Sequence, residues 1–304
     1  MVNLYVGITD YDWFQFLSAQ RGVDEVNFWQ PGGRTNFKAI RPGELFLFKL
    51  HSPRNFIVGG GVFAHADILP VSIAWEAFGF GNGAVTLAEM RRRIAFYRKE
   101  PDNPHQDYPI GCRILTQPFF FPEHQWIPIP ESWSPHIQQG RTYDTSEADG
   151  RHLWEMVMDR EAQHPTAPIA VPRYGEPTLI RPRLGQGAFR VSVTDVYQRR
   201  CAVTGEKTLP ILDAAHIRPF GEGGEHDISN GLLLRTDIHR LFDLGYVTVS
   251  SDGKFEVGRR LKEDFENGRH YYAMQGHNLL MPSNPEQRPK REVLEWHQSN
   301  RFLG

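Results

Sequence analysis

The stretch LDAAHIRPFGEGGEHDISNGLLLRTDIHRLFD, residues 212–243, decides how this 304-residue chain is read. An apolar run over Ile211–Ile217 precedes a glycine-rich loop, and a second run, Gly231–Leu234, follows Asn230. Thr236–Leu244 then has helical spacing, closed by Gly245. Strand, loop, strand and helix make a compact ββα unit. Three polar residues stand at its joints: His216 at the end of the first strand, Asn230 before the second, and His239 on the helix. Asp243 follows His239 by four positions, so the two side chains share one helix face. Imidazole nitrogen and carboxylate oxygen there suit a divalent cation.

These residues resemble the HNH nuclease family. CAVTG (201–205), DAAHI (213–217), NGLLL (230–234) and HRLFD (239–243) agree with it in residue type, spacing and expected element together. The resemblance implies a ββα-metal fold and metal-assisted phosphodiester hydrolysis. It makes His216 the general base and His239 a metal ligand, and Asn230 either holds the hairpin or orients His216. One Mg²⁺ or Mn²⁺ per site is implied as cofactor. Many relatives place a carboxylate or a second histidine just before the base. Ala215 stands there, which leaves Asp213 or Asp243 to complete the metal site. Cys201 is followed three positions on by Thr204 and not by a second cysteine, so no structural zinc is expected. Arg218, Arg235 and Arg240 are candidates for phosphate contact. His226 and His270 read as hydrogen-bonded core or surface histidines.

Working outward, thirteen of the 22 prolines fall between Pro101 and Pro182. The segment HPTAPIAVPRYGEPTLIRPR (164–183) sustains neither helix nor central strand. It divides the chain into an N-terminal domain over 1–160, a proline-rich linker over 161–184 and a nuclease domain over 185–304. In the first domain, strands are expected at Asn3–Thr9, Glu25–Trp29, Leu45–Leu50, Phe56–Phe63, Arg113–Leu115 and Phe119–Phe121, with helices near Trp13–Gln20 and Leu87–Arg98. In the second, a helix is expected over Ser192–Arg200, and YVTVS and REVLEWHQSNRF read as a strand and an amphipathic helix completing the core. The expected class is α+β: a small, partly closed β-barrel with helices, followed by the ββα unit.

The runs VNLYVGITDYDWFQFL, EVNFWQPGGRTNF, RPGELFLFKL and FIVGGGVF are similar to the EVE branch of the PUA-like barrels. Joined to a nuclease, such a domain implies a reader that extrudes a modified cytosine into an aromatic pocket. Stacking and base-edge hydrogen bonds must then offset an extrusion cost of a few kcal/mol. Trp13, Trp29, Trp75 and Tyr11, with Asp10 and Asn36 as polar readers, are the candidates, each against the plainer reading of barrel core. The cluster Arg91, Arg92, Arg93, Arg98 and Lys99 is either a DNA-facing rim or a solvated helix face.

Composition bounds these readings. Hydrophobic residues make up 40% of the chain and charged ones 23%, which excludes collagen-like and wholly disordered chains. Two distant cysteines, Cys112 and Cys201, exclude a disulfide scaffold and fit a reducing cytoplasm. No apolar run approaches bilayer length, so no membrane partner is expected. The formal charge of −2 divides into 16 Lys+Arg against 20 Asp+Glu up to residue 180, and 18 against 16 beyond it. A near-neutral chain is a poor non-specific DNA coat. The joint implication is a bacterial, modification-dependent restriction endonuclease. It would cut double-stranded DNA carrying 5-methylcytosine or 5-hydroxymethylcytosine and act as a homodimer, since one ββα centre cuts one strand. The alternatives are an HNH nuclease whose first domain senses another ligand or sequence, and a non-catalytic DNA-binding protein with a degenerate ββα site.

Overall fold

A computed structural model describes residues 2–34, 37–163 and 176–304, which form two compact units, 1–188 and 189–304.

In the first unit, β1 (Asn3–Thr9) leads into α1 (Tyr11–Ser18), then β2 (Glu25–Asn27), β3 (Leu45–Leu50) and the long β4 (Phe56–Pro70). Next come α2 (Val71–Phe78), α3 (Leu87–Arg98), β5 (Pro109–Phe120), β6 (Ile127–Pro128), β7 (Gly140–Asp144) and α4 (Ala148–Gln163). The strands form one sheet in the order β2-β5-β4-β3-β1-β7, with β6 also on β4. β1 and β3 run parallel and their remaining neighbours antiparallel. This hydrogen-bonded path ends at β2 and β7, so among the described residues the sheet is open, where the sequence suggested partial closure into a barrel.

The run LFLFKL shows why the sheet sits in the middle. Leu45 and Leu47 of β3, with Leu4 and Val6 of β1, pack against Leu153, Trp154 and Val157 of α4. Phe46 and Phe48, with Tyr5, face the other way onto Trp13, Phe14 and Leu17 of α1. Successive side chains of a strand point to opposite faces, so a strand apolar at every position but Lys49 is buried on both. α2, α4 and β7 lack a clear signal in the sequence, and β4 continues seven residues past its expected end at Phe63. Within the expected linker, Ile180 is buried in the first unit and its N–H donates to the Gly43 carbonyl at 2.9 Å. Residues 164–175 of that linker lie outside the described residues.

α5 (Gln186–Val196) carries the chain into the second unit. It starts six residues earlier than expected and stops four earlier, its end set by Gln198 and Arg199, which adopt left-handed backbone at φ 54° and 57°. There follow β8 (Leu212–His216), β9 (Gly231–Arg235), α6 (Thr236–Asp243), β10 (Val247–Val249), β11 (Phe255–Val257), α7 (Arg260–Phe265), α8 (Arg269–Tyr272) and α9 (Arg291–Asn300). β8 and β9 form an antiparallel hairpin with His216 opposite Gly231 and Asp213 opposite Leu234. Phe189 and Val193 of α5 lie so close that a Cβ on Gly231 would sit 2.5 Å from the valine methyl, which explains the glycine. α6 stops at Gly245, whose φ of 80° lets its N–H reach the Phe242 carbonyl while Tyr246 N–H reaches that of Leu241. None of the described helices is long and apolar enough to cross a membrane.

Candidate active site

His216 ends β8 with its ring stacked on Phe189, 3.9 Å between centroids and 12° between planes. Its Nε2 lies 2.9 Å from Nδ1 of His226, and His226 stacks in turn on Phe220 at 4.6 Å. Burial, then the neighbouring His226 and His239, push the His216 imidazole down to about 4. It is therefore uncharged at neutral pH, the form a general base requires. Sequence reasoning assigned His226 to core or surface. Its only signal was a position in the glycine-rich loop, and spacing alone does not show that this loop folds back over β8.

On α6, His239 lies between two carboxylates. Its Nδ1 is 3.4 Å from Asp213 Oδ2, across on β8, and its Nε2 is 3.4 Å from Asp243 Oδ2, one turn along the same helix. All three side chains are partly open to solvent. Ala215 is fully buried in the apolar core of this unit. Two donors 3.4 Å apart match ligands each about 2.1 Å from one shared cation at an angle somewhat above 90°. Among the described residues no group of three or more His, Cys, Asp or Glu converges to hold a metal. A cation here would have two protein donors and fill its other positions with water or phosphate oxygen, a pattern suited to Mg²⁺ or Mn²⁺.

Asn230 is 4% exposed and its side chain makes three hydrogen bonds. Oδ1 accepts the Arg218 N–H at 2.9 Å, and Nδ2 donates to the carbonyls of Arg218 at 2.9 Å and Glu225 at 3.0 Å. It therefore ties the β8–β9 loop to the strand end, and its side-chain bonds do not include the His216 ring. Of the three arginines, Arg235 pairs with Asp237 at 2.5 Å, and Arg218 donates to the Glu222 carbonyl and lies over Trp296. Arg240 is exposed on α6. His270, in α8, is exposed.

The first unit contains a cavity of about 450 Å³. Asp10, Trp13 and Trp29 line it, together with Gln30, Arg34, His51, Tyr97 and Gln139, which sequence reasoning did not single out. Trp13 is 3% exposed and packs edge-on against Phe28 and Phe48, so it belongs to the core and forms a wall at once. Trp29 is half-buried and anchored by its Nε1–H to the Asn82 carbonyl at 2.9 Å. Asp10 accepts the Tyr97 hydroxyl hydrogen bond and lies 3.6 Å from His51. Trp75 and Tyr11 are not in this lining: Trp75 sits on α2, and Tyr11 lies under the Arg54 guanidinium at 3.9 Å, beside a neighbouring groove. Asn36 lies outside the described residues. The arginine cluster of α3 divides. Arg91 pairs with Asp102 at 3.0 Å, Arg93 with Glu89 at 2.5 Å, and Arg98 donates to the carbonyls of Pro31 and Pro109. Arg92 and Lys99 are exposed.

A β-hairpin followed at once by a helix, with His216 and Asp213 on β8 and His239 and Asp243 on α6, is a ββα unit. Residues 201–250 match the family model described as HNH endonuclease, so the chain carries an HNH endonuclease domain and is a nuclease. Among solved structures, an ASCH protein from Zymomonas mobilis aligns at 11% identity and TM-score 0.34, covering 49% of this chain and 94% of its own. A modification-dependent TagI restriction endonuclease aligns at 14% identity and TM-score 0.28, covering 94% of this chain and 77% of its own. Comparison with curated proteins gives no match.

Proposed function

We propose that the protein is a modification-dependent restriction endonuclease that cuts double-stranded DNA containing 5-methylcytosine or 5-hydroxymethylcytosine and works as a homodimer. The observation that carries this reading is an aromatic-walled cavity in the first unit of a chain whose second unit is an HNH nuclease. Its volume, about 450 Å³, falls within the range of about 300–1,000 Å³ usual for small-ligand sites. Trp29 supplies a face for stacking, while Asp10, Gln30 and Gln139 supply the acceptors and donors that a base edge needs.

In the nuclease unit, His216 takes the proton of the attacking water, a role supported by its neutral imidazole. His239 and Asp213 hold the cation. Asp213 is preferred over Asp243 because it shares β8 with the base, placing the cation beside the phosphate that the water attacks. Asp243 then steadies the other edge of the His239 ring, an arrangement common behind metal-bound histidines. When bound, Mg²⁺ or Mn²⁺ supplies charge neutralisation at the scissile phosphate and the leaving oxygen. Asn230 keeps the hairpin in register for both histidines.

Digestion of matched plasmids carrying cytosine, 5-methylcytosine or 5-hydroxymethylcytosine, with MgCl₂ or MnCl₂, tests the reading. Cleavage restricted to a modified plasmid is expected. Equal cleavage of all three removes the reader role from the first unit, and nicking by His216→Ala removes the base.

A further inference from the structure

We infer that His226 is a positioning residue for the general base: it accepts a hydrogen bond from Nε2–H of His216 and so leaves Nδ1 of His216 as the nitrogen that takes the proton from water. The inference rests on the reading of His216 as the base and goes beyond it by fixing the tautomer and naming the residue that sets it.

The geometry allows two arrangements, and the base role selects between them. The His216 ring is held in plane by the Phe189 face, so its two nitrogens have fixed directions. One of them, Nε2, is 2.9 Å from His226 Nδ1. A neutral imidazole carries one N–H and one lone pair, so across this contact one ring donates and the other accepts. If His226 donated, the lone pair of His216 would be spent inside the pair and its Nδ1 would carry the proton. No base would then be available. If His216 donates, Nδ1 keeps its lone pair, and among the described residues that atom has no hydrogen-bond partner. Only the second arrangement yields a base, and it is the relation by which a third group orients a catalytic histidine elsewhere.

Two further contacts show that His226 is itself held. Phe220 stacks on it at 4.6 Å and 11°, and the Asn230 side chain fastens the loop carbonyl of Glu225, the residue just before it. The groups facing His216 are therefore Phe189 from α5, His226 from the loop and His239 from α6. None of the three is a carboxylate that could do the same work.

The test uses the full chain, uniformly labelled with ¹⁵N-histidine. His216 resonances are assigned by difference with His216→Ala and read at neutral pH without metal, so the result does not depend on activity. Wild type should show His216 protonated at Nε2, and His226→Ala should shift it toward a mixture of tautomers. His226→Asn, whose amide oxygen can stand near the position of Nδ1, should restore the wild-type pattern. In nicking of 5-methylcytosine plasmid with MnCl₂, His226→Ala should lower kcat about tenfold or more with KM unchanged, and His226→Asn should recover most of it. A His226→Ala protein with unaltered tautomer and kcat overturns the inference while leaving the base assignment standing, and a His216 protonated at Nδ1 in wild type overturns the inference and counts against the base assignment as well. Nicking by His216→Ala overturns both.

Discussion

The Asn230 carboxamide meets the backbone of Arg218 on both sides, accepting its N–H and donating to its carbonyl, each at 2.9 Å. The side chain thereby imitates a strand neighbour just where the β8–β9 ladder ends at His216 and Gly231. Truncation to alanine would remove three hydrogen bonds to part-buried backbone groups of Arg218 and Glu225, each worth about 0.5–1.5 kcal/mol. Asn230→Ala should therefore lower stability by about 2 kcal/mol or more, read as a lower urea midpoint at unchanged slope. Asn230→Asp should be worse, because a carboxylate oxygen would replace the Nδ2 donor opposite two carbonyl oxygens. A variant as stable as wild type would show that the loop keeps its shape without this clasp.

His239 is approached by one carboxylate on each ring nitrogen, and the two should differ in consequence. Asp213→Asn removes a charged donor from the cation, so Mn²⁺ affinity measured by calorimetry should fall about tenfold or more. Asp243→Asn keeps a hydrogen-bonding partner for the ring and should cost less. The reverse ranking would assign the cation to the Asp243 edge.

How much of this was open to a reader of the sequence depends on distance along the chain. The ββα unit is nearly contiguous, and its apolar runs, Asn-Gly junction and helix stop at Gly245 are local signals, so its elements fall close to where they were expected. The His239–Asp243 relation is likewise a helical spacing. The His216–His226 contact is not: nine residues of glycine-rich loop intervene, and no periodicity reports where such a loop turns. In the first unit, LFLFKL announces a strand buried on both faces, but the cavity is assembled from β1, the β2 end, α3 and the loop before β7. Tyr97 and Gln139 thus join Trp29 only through tertiary packing. The run of three arginines on α3 illustrates the same limit, since composition cannot separate Arg91, spent on Asp102, from exposed Arg92.

His297 of α9 links the nuclease fold to pH. It is 2% exposed, stacks on Phe242 at 3.7 Å, lies 2.8 Å from the Thr248 hydroxyl and donates Nε2–H to the Phe242 carbonyl. Burial holds it down to about 4, against 6.5 for a free imidazole. The unfolded chain therefore binds this proton more readily than the folded one. The stability it favours is complete above about pH 6.5 and is lost as pH falls toward 4, about 3 kcal/mol over the whole window. Urea midpoints should fall steadily from pH 7 to pH 4. His297→Gln, which keeps the donor to Phe242 but does not titrate, should be less stable at pH 7 yet lose less on acidification. The flattening should be partial, because His216 is shifted in the same direction. Parallel pH profiles for the two proteins would refute the assignment.

Trp29 offers the sharpest separation of the two units' tasks. Its indole is half-buried, tethered by the Asn82 carbonyl, and set edge-on to Tyr97 at 6.5 Å across the cavity wall. Trp13 is a poor target, since its ring also packs on Phe28 and Phe48 and its loss would open the core. Stacking of one base on an aromatic ring is worth about 1–3 kcal/mol, so Trp29→Ala should weaken binding to 5-methylcytosine duplex about tenfold. Affinity for unmodified duplex should stay unchanged. Residual nicking of plasmid at high MnCl₂ should persist, because the variant leaves His216, His239 and Asp213 untouched. Fluorescence anisotropy on the two duplexes, run beside the nicking assay, measures all three quantities. An equal loss on both duplexes would make Trp29 a structural residue and move the reader elsewhere in the first unit.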